Sequence, residues 1–259
     1  IEIQNNSKLQ TIGEYAFCKS LITSIKIPSS VTSIGRSAFS FCYKLQQIEI
    51  SSDSKLKTID NNAFYKSLLE SIRIPSELVE LKEGWCSNTC HLTNIEVNPK
   101  NPRYCCFEEK MIIGKSDINQ SNYDCLVFCA RDIQNVRIPN FITHICSSSF
   151  SNCKKLEKIE IPTDSKLQTI GVNAFSESSL KHITIPSAIT HIGEGAFDSC
   201  KELQQVEIPS DSKLQSVHKN AFSRTAIESF TIPSELVELK EGWCNHTPFL
   251  TKIEISPKN

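Results

Sequence analysis

Twelve cysteines and six histidines are the side chains of this chain that could carry redox, nucleophilic or metal chemistry. Four of the cysteines, Cys105, Cys106, Cys125 and Cys129, lie in the one stretch that departs from the repeat pattern described below. A disulfide among them is one possibility, and it would require an oxidising compartment. Their CC and CxxxC spacings do not match a zinc knuckle, and no histidine is close to them in the sequence, so we predict no metal site.

Two of the histidines, His144 and His191, occupy the same short sequence, Ile-Thr-His-Ile. They are two repeats apart, and two strand spacings in a parallel sheet amount to about 9–10 Å. This separation is too long for both to bind one metal ion, so we interpret both as exposed strand residues. The sequence contains neither a nucleophile elbow nor a glycine-rich phosphate loop. We therefore predict a protein without catalytic residues, bound metal or cofactor.

The sequence repeats itself at three nested periods, and these repeats predict the strands that position the side chains. A strand-like run LxxIxI, as in Leu45–Ile50 and Leu203–Ile208, returns every 23 or 24 residues, and alternate units match best at a spacing of 47. The run SELVELKEGWC stands at Ser76–Cys86 and again at Ser234–Cys244. A repeat of this length cannot bury its apolar face except against its neighbours, so the pattern predicts a solenoid. We expect eleven LxxIxI strands in one parallel sheet.

Each repeat adds a second short run and an aromatic position to the strand. Ile22–Ile27 alternates apolar and polar residues, Pro28 ends the strand, and Val31–Gly35 forms a second extended run. The pattern indicates a buried aromatic series, in which the cysteines of Phe-x-x-Cys (Cys42, Cys153 and Cys200) are small buried thiols. The members of that series are Phe17, Phe39, Phe64, Trp85, Phe150, Phe175, Phe197, Phe222 and Trp243.

The combined motif LxxIxIP followed by VTxIGxxAFxxC resembles the BspA-like leucine-rich repeats of bacterial and protist surface proteins. The resemblance covers nearly the whole chain. It implies a β-rich, right-handed leucine-rich-repeat solenoid with LxxIxI on a concave parallel sheet, and it implies adhesion or binding functions. It contributes no catalytic motif.

Three segments follow from the interruption of the repeats. We expect a first repeat block over residues 1–97, an irregular insert with a β-hairpin over 98–133, and a second block over 134–259. In the insert, Tyr104–Phe107 and Met111–Ile113 flank the polar link 108–110, which is typical of a hairpin. The chain starts inside a strand motif and ends on an echo of Asn98–Asn101. We therefore expect the natural protein to be longer, with any signal peptide or membrane anchor in segments outside this sequence.

The residue between the two isoleucines of each LxxIxI points away from the core and forms an outward column. In the first block the signs of its charges alternate, and in the second block threonines replace the later cations. One interpretation is a solvated ladder that keeps the strands in register, since opposite charges on neighbouring strands contribute about 0.2–1 kcal/mol per pair. The other is an extended binding face on the concave sheet, whose less neutralised half selects a cationic or polyhydroxyl partner. After Glu2, the column consists of the candidate ligand-binding residues Lys26, Glu49, Arg73, Glu96, Arg137, Glu160, Thr184, Glu207, Thr231 and Glu254.

Composition limits the partners. A net charge of -1 argues against a nucleic-acid surface, and no apolar run is long enough to span a membrane. We predict a cell-surface or secreted array that binds a macromolecule, protein or glycan, on a host cell or matrix through its concave face and insert. In that hypothesis the insert with Glu96, Arg137 and Glu160 forms the best candidate patch. The alternative is a spacer stalk without a ligand of its own.

Overall fold

The computed structural model describes residues 3–4 and 7–256, and its regular elements are all β-strands. The chain divides into two compact units. The first contains Ile1–Tyr123 and Val127–Arg131, and the second contains Asp124–Leu126 and Asp132–Asn259. Within the described residues no helix is long and apolar enough to cross a membrane.

Each unit alternates a longer strand from LxxIxI with a two-residue strand from the second run. The first unit contains β1 (Thr11–Ile12), β2 (Ser24–Ile27), β3 (Ser33–Ile34), β4 (Gln47–Ile50), β5 (Thr58–Ile59), β6 (Ser71–Ile74), β7 (Glu80–Leu81), β8 (Asn94–Val97), β9 (Tyr104–Phe107) and β10 (Met111–Gly114). Strand β11 (Cys125–Cys129) starts in the second unit and ends in the first. The second unit continues with β12 (Asn135–Arg137), β13 (His144–Ile145), β14 (Lys158–Glu160), β15 (Thr169–Ile170), β16 (His182–Thr184), β17 (His191–Ile192), β18 (Gln205–Glu207), β19 (Ser216–Val217), β20 (Ser229–Ile232), β21 (Glu238–Leu239) and β22 (Lys252–Ile255).

The solenoid prediction is confirmed, but the LxxIxI strands do not form one sheet. They pair in parallel two at a time, as β2 with β4 and β6 with β8 in the first unit. The second unit has the pairs β12–β14, β16–β18 and β20–β22. The step from Ile25 to Ile48 within a pair is 23 residues, whereas the step from Ile48 to Ile72 between pairs is 24. The pairing between LxxIxI strands is interrupted where this extra residue occurs. Two repeats therefore make up one structural unit, which explains why alternate repeats are the most similar in sequence.

The continuous ladders are built instead by the two-residue strands. In the first unit the order is β1-β3-β5-β7, and in the second β13-β15-β17-β19-β21. Close stacking here constrains the side chains. A Cβ at Gly35 would lie 2.9 Å from backbone atoms of both Gly13 and Glu14 in the preceding turn, so this step of the ladder requires glycine.

The aromatic series forms the core of each unit, as predicted. In the first unit the rings of Phe39 and Phe64 are fully buried and stack at 5.4 Å, and Trp85 meets Phe64 edge-on at 6.4 Å. In the second unit the Phe150, Phe175, Phe197 and Phe222 rings stack at successive centroid distances of 4.8, 5.1 and 5.0 Å.

The thiols at the Phe-x-x-Cys positions, Cys42, Cys153 and Cys200, are buried and form no disulfide, which confirms their predicted packing role. The Cys42 and Cys200 thiols each donate a hydrogen bond to the carbonyl of the phenylalanine in the preceding turn, Phe17 or Phe175, at 3.0 Å. The same two carbonyls already accept the backbone N–H groups of Ser20 and Ser178, so the thiol adds a second hydrogen bond while it fills a small core position.

The insert contains the predicted hairpin, with β9 and β10 antiparallel and Phe107 opposite Met111. Glu108 and Glu109 both have positive φ, at 49° and 57°, as tight hairpin links often require. Buried Asn101 fastens the hairpin to the first unit. Its amide nitrogen donates to the Pro75 carbonyl at 2.7 Å and to the Leu78 carbonyl at 2.8 Å.

Candidate binding surfaces

The outward column resolves into discrete contacts inside each two-stranded sheet. Because the register places one outward residue directly opposite the next, Lys26 Nζ lies 2.9 Å from Glu49 Oε1. In the second sheet of the first unit, Arg73 Nη2 lies 2.9 Å from Glu96 Oε1. Both pairs are partly exposed, so each contributes about 0–1 kcal/mol and mainly favours the observed register.

The second unit continues the column with one ion pair and two threonine–glutamate pairs. Arg137 Nη1 lies 3.5 Å from Glu160 Oε1, and the Thr184 hydroxyl donates to Glu207 Oε2 at 2.9 Å. Thr231 stands opposite Glu254 in the third sheet. The glutamate is always on the second strand of the sheet. Of the column proposed from the sequence, only Glu2 lies outside the described residues.

Neighbouring polar side chains, one of them a lysine, contact the glutamates of the second unit. His182 Nε2 lies 3.4 Å from Glu207 Oε1, and the Gln205 side-chain amide donates to the same oxygen at 3.0 Å. Lys252 Nζ lies 2.5 Å from Glu254 Oε1. These partners lie on the same strands but at other positions than the outward column, so the column alone did not include them. The charge difference between the two halves is therefore smaller at the surface than the column alone indicates.

An aromatic–lysine cluster on the first unit was not predicted. We define it as Lys19, Phe41, Tyr43, Tyr65 and Lys66. The Phe41 ring meets Tyr43 at 6.0 Å and Tyr65 at 5.2 Å, both edge-on. The ammonium groups of Lys19 and Lys66 lie 6.0 and 5.8 Å from the centre of the Phe41 ring. Tyr43 is 55% exposed, so the cluster presents aromatic surface and positive charge to solvent.

The backbone at Phe41 explains how the cluster forms and why it was missed. Phe41 has φ of +58°, a conformation that bulky residues rarely adopt, and its N–H donates to the Tyr65 carbonyl at 2.7 Å. Lys19 and Lys66 hold the same left-handed position in neighbouring turns, with φ of 61° and 55°. The repeat thus imposes the turn, and residues from three turns come together on one surface. The only sequence signal was an aromatic residue at a position that elsewhere is polar.

A third group involves the cysteines and histidines. One donor atom from each of Asp124, Cys125 and His144 lies within 4.8 Å of the other two. This occurs because β11 and β13 pair in parallel with Cys125 opposite His144. No histidine is close to these cysteines in the sequence, but the fold places His144 opposite Cys125. The interpretation of His144 as an exposed strand residue is wrong, because it is half-buried. His191 is exposed, as predicted, and stands opposite Thr169.

None of the twelve cysteines, all of which lie within the described residues, is in a disulfide, and this includes the four of the irregular stretch. Burial raises the pKa of the Cys105 thiol, which is hydrogen-bonded to Tyr123. The pKa of the Cys125 thiol is raised chiefly by a hydrogen bond with the Cys146 thiol and secondly by burial. Cys125, the first residue of β11, and Cys146, directly after β13, therefore lie side by side in the second unit.

Known proteins share this architecture. The chain matches the family described as BspA type Leucine rich repeat region in six copies, over residues 1–113 and 122–250. No curated protein is significantly similar to it in sequence.

The solved structures of similar fold include the following three. The pneumococcal vaccine antigen PcpA has a TM-score of 0.71 at 22% identity, covering 98% of this chain and 55% of that one. A leucine-rich cell surface protein from Faecalibacterium prausnitzii has a TM-score of 0.69 at 22% identity, covering 95% and 63%. A leucine-rich repeat protein from Eubacterium ventriosum has a TM-score of 0.66 at 20% identity, covering 98% and 82%. The chain spans about half the length of the first of these proteins, and the likeness concerns the fold alone.

Proposed function

Because the chain belongs to the BspA-type leucine-rich repeat family, we propose that it is a cell-surface or secreted array that binds a macromolecular partner, a protein or glycan on a host cell or matrix. Two proteins of similar fold are described as a vaccine antigen and as a cell surface protein. These descriptions belong to those proteins and support a surface location for this one. The proposed activity is binding, without a catalytic step.

The observation that carries the proposal is the regular spacing of partly exposed polar groups along the outward column. Paired strands place successive outward residues about 4.8 Å apart. The pairs Lys26–Glu49 and Arg137–Glu160 offer a cation and a carboxylate at fixed separation. A repeat surface of this kind suits an extended partner that presents hydrogen-bonding groups at regular intervals.

The aromatic–lysine cluster gives the first unit a second contact surface of different chemistry. Exposed tyrosine combines large apolar area with a hydroxyl group, and such residues dominate binding energy where they are well packed. Lys19 and Lys66 place positive charge at the ring faces. This composition favours a partner that carries both flat apolar faces and anionic or hydroxyl groups.

The predicted insert adds a third surface at the tip of its hairpin. Glu108 and Glu109 are exposed at the turn between β9 and β10. Asn101 anchors the hairpin, whose tip can present these carboxylates to a partner.

The alternative function, a spacer stalk, draws support from the same ion pairs. Each arginine or lysine of the column has its own glutamate on the neighbouring strand, so its charge is already balanced within the sheet. A spacer needs only this internal stability and no ligand.

Binding to host cells, matrix proteins and a glycan array separates the two functions. We expect the chain to bind at least one of these, and binding to weaken in Arg73→Ala/Glu96→Ala, in Tyr43→Ala/Tyr65→Ala, or in a hairpin-tip variant, Glu108→Gly/Glu109→Gly. Lys82→Ala, which removes an exposed ion pair with Glu80 outside all three surfaces, is the matched control. A folded chain that binds none of the panel supports the stalk. Binding that all three variant sets leave unchanged removes these surfaces from its function.

A further inference from the structure

We propose that Asp124, Cys125 and His144 bind a divalent transition metal of the zinc type, with Cys146 as the fourth ligand. The site lies entirely within the second unit, where β11 begins beside β13. It is independent of the binding surfaces described above.

The donor atoms are already close to the separation that a metal requires. Zinc bonds of about 2.0–2.3 Å in a tetrahedron place neighbouring ligand atoms roughly 3.3–3.8 Å apart. The carboxylate, thiol and imidazole donors here lie within 4.8 Å of one another, so a small rotation of the side chains closes the shell. The Cys146 sulfur is hydrogen-bonded to the Cys125 sulfur, so a fourth donor lies beside one member of the group and reaches the other two by rotation of its side chain. Two sulfurs with one nitrogen and one oxygen favour zinc over magnesium or calcium.

Thr143 fixes one ring nitrogen of the His144 imidazole. Its hydroxyl donates to the Asp124 carbonyl at 3.1 Å and lies 2.6 Å from His144 Nδ1. Because the hydroxyl proton is used on the carbonyl, Thr143 accepts from Nδ1–H, which leaves Nε2 with the free lone pair. A histidine ligand that donates its other ring N–H to a fixed oxygen is the usual arrangement in metal sites.

The repeat itself provides an internal comparison at His191. The Thr190 hydroxyl lies 2.7 Å from His191 Nδ1, as in the first copy. The residue opposite His191, however, is Thr169 instead of a cysteine, and Gln168 stands where Asp124 would be. The fold therefore orients a histidine at both positions, and only at His144 does the preceding strand bring a thiol and a carboxylate. That strand belongs to the predicted insert. A metal would tie its first residues, 124–126, to the rest of the second unit.

Zinc titration of the reduced, chelator-treated chain by calorimetry tests the site. We expect one equivalent to bind in the native sequence, and binding to weaken at least tenfold in His144→Gln and in Asp124→Asn. Thr143→Val is expected to weaken it about 10–100-fold, because it releases the ring without removing a ligand. His191→Gln and Cys90→Ser, at exposed positions, serve as controls and are expected to bind zinc as the native chain does. Equal binding by the native chain and by folded His144→Gln would overturn the proposal.

A second measurement keeps the test decisive if a variant fails to fold. The native chain loaded with cobalt should show thiolate-to-cobalt charge transfer, and X-ray absorption of the zinc form should show sulfur together with nitrogen or oxygen. A shell without sulfur, or with sulfur alone, contradicts the proposal. So does a chain isolated with Cys125 and Cys146 joined in a disulfide that excludes zinc, which mass spectrometry under non-reducing conditions detects.

Discussion

The rings of Phe175 and Phe197 lie 5.1 Å apart and are parallel to within 1°, although the two residues belong to different turns of the second unit. Both are fully buried, and Phe150 and Phe222 extend the stack on either side. Each ring therefore contacts neighbours on both faces. The stability of one turn depends on the side chain that the adjacent turn supplies.

Truncation of this stack should be costly. Phe175→Ala removes a ring with packed neighbours on both faces, and we expect a loss of about 3–5 kcal/mol in the free energy of unfolding. Denaturant unfolding followed by circular dichroism measures it. Phe141→Ala, at a ring that is 39% exposed, is the control and should change the stability far less. Equal effects of the two substitutions would show that the stack is not the core.

The ion pair between Arg224 and Asp198 should contribute more than the other surface pairs. Arg224 Nη2 lies 2.5 Å from Asp198 Oδ2, and Arg224 Nε donates to the Ser199 hydroxyl at 2.8 Å. The Asp198 side chain is only 15% exposed, so Arg224→Ala leaves a carboxylate that water reaches poorly. We expect a loss of about 1–2 kcal/mol, read from the thermal unfolding midpoint.

Lys154→Ala is the matched comparison for that pair. Lys154 Nζ lies 3.5 Å from Glu177 Oε2 with both side chains well exposed, so its removal should cost well under 1 kcal/mol. A larger loss of stability for Lys154→Ala than for Arg224→Ala would contradict the expectation that the less exposed ion pair contributes more.

The buried thiols should resist alkylation. Burial raises the pKa of the Cys200 thiol from its ordinary 9.0 to about 12, so the reactive thiolate is scarce at neutral pH. Native alkylation followed by peptide mass spectrometry should modify the exposed Cys90 rapidly and Cys200 only on unfolding. Recovery of Cys42 or Cys200 in a disulfide would contradict their packing role.

The same shift makes stability depend on alkaline pH. The unfolded chain ionises Cys200 near pH 9, before the folded chain does, so above that pH the unfolded state binds fewer protons and stability falls. Between about pH 9 and 12, Cys200→Ala should reduce this decline, which unfolding measured at several pH values detects. An unchanged slope would show that Cys200 does not titrate differently in the two states.

The hairpin of the insert should depend on Asn101. Its side-chain oxygen accepts from the N–H groups of Arg103 and Tyr104, at 2.9 and 2.7 Å, and its amide holds the two carbonyls described above. Asn101→Ala leaves several buried groups unpaired and should cost about 1–3 kcal/mol. Hydrogen exchange should accelerate first in β9 and β10. Asn119→Ala, at an exposed side chain paired with Asp117, should leave that exchange unchanged.

The sequence by itself determined the solenoid, the aromatic series and the hairpin. Phe175 and Cys200 recur at fixed offsets from LxxIxI, and a recurring apolar position must face the shared core because no single repeat can bury it alone. The hairpin was visible as two apolar runs around Glu108–Lys110. These are local patterns, and local periodicity reports which side of the chain is buried.

Only the tertiary structure decided which side chains meet. Phe41 and Tyr65 come together across neighbouring turns, and Cys125 comes opposite His144 because the strand from the insert takes the place of a repeat strand in the ladder. Such contacts depend on the register between strands, which is set by loop lengths and hydrogen bonding between distant segments. The alternating charges of the outward column were visible in the sequence. Their division into separate pairs such as Lys26–Glu49 depends on which strands are neighbours, and only the structure shows that.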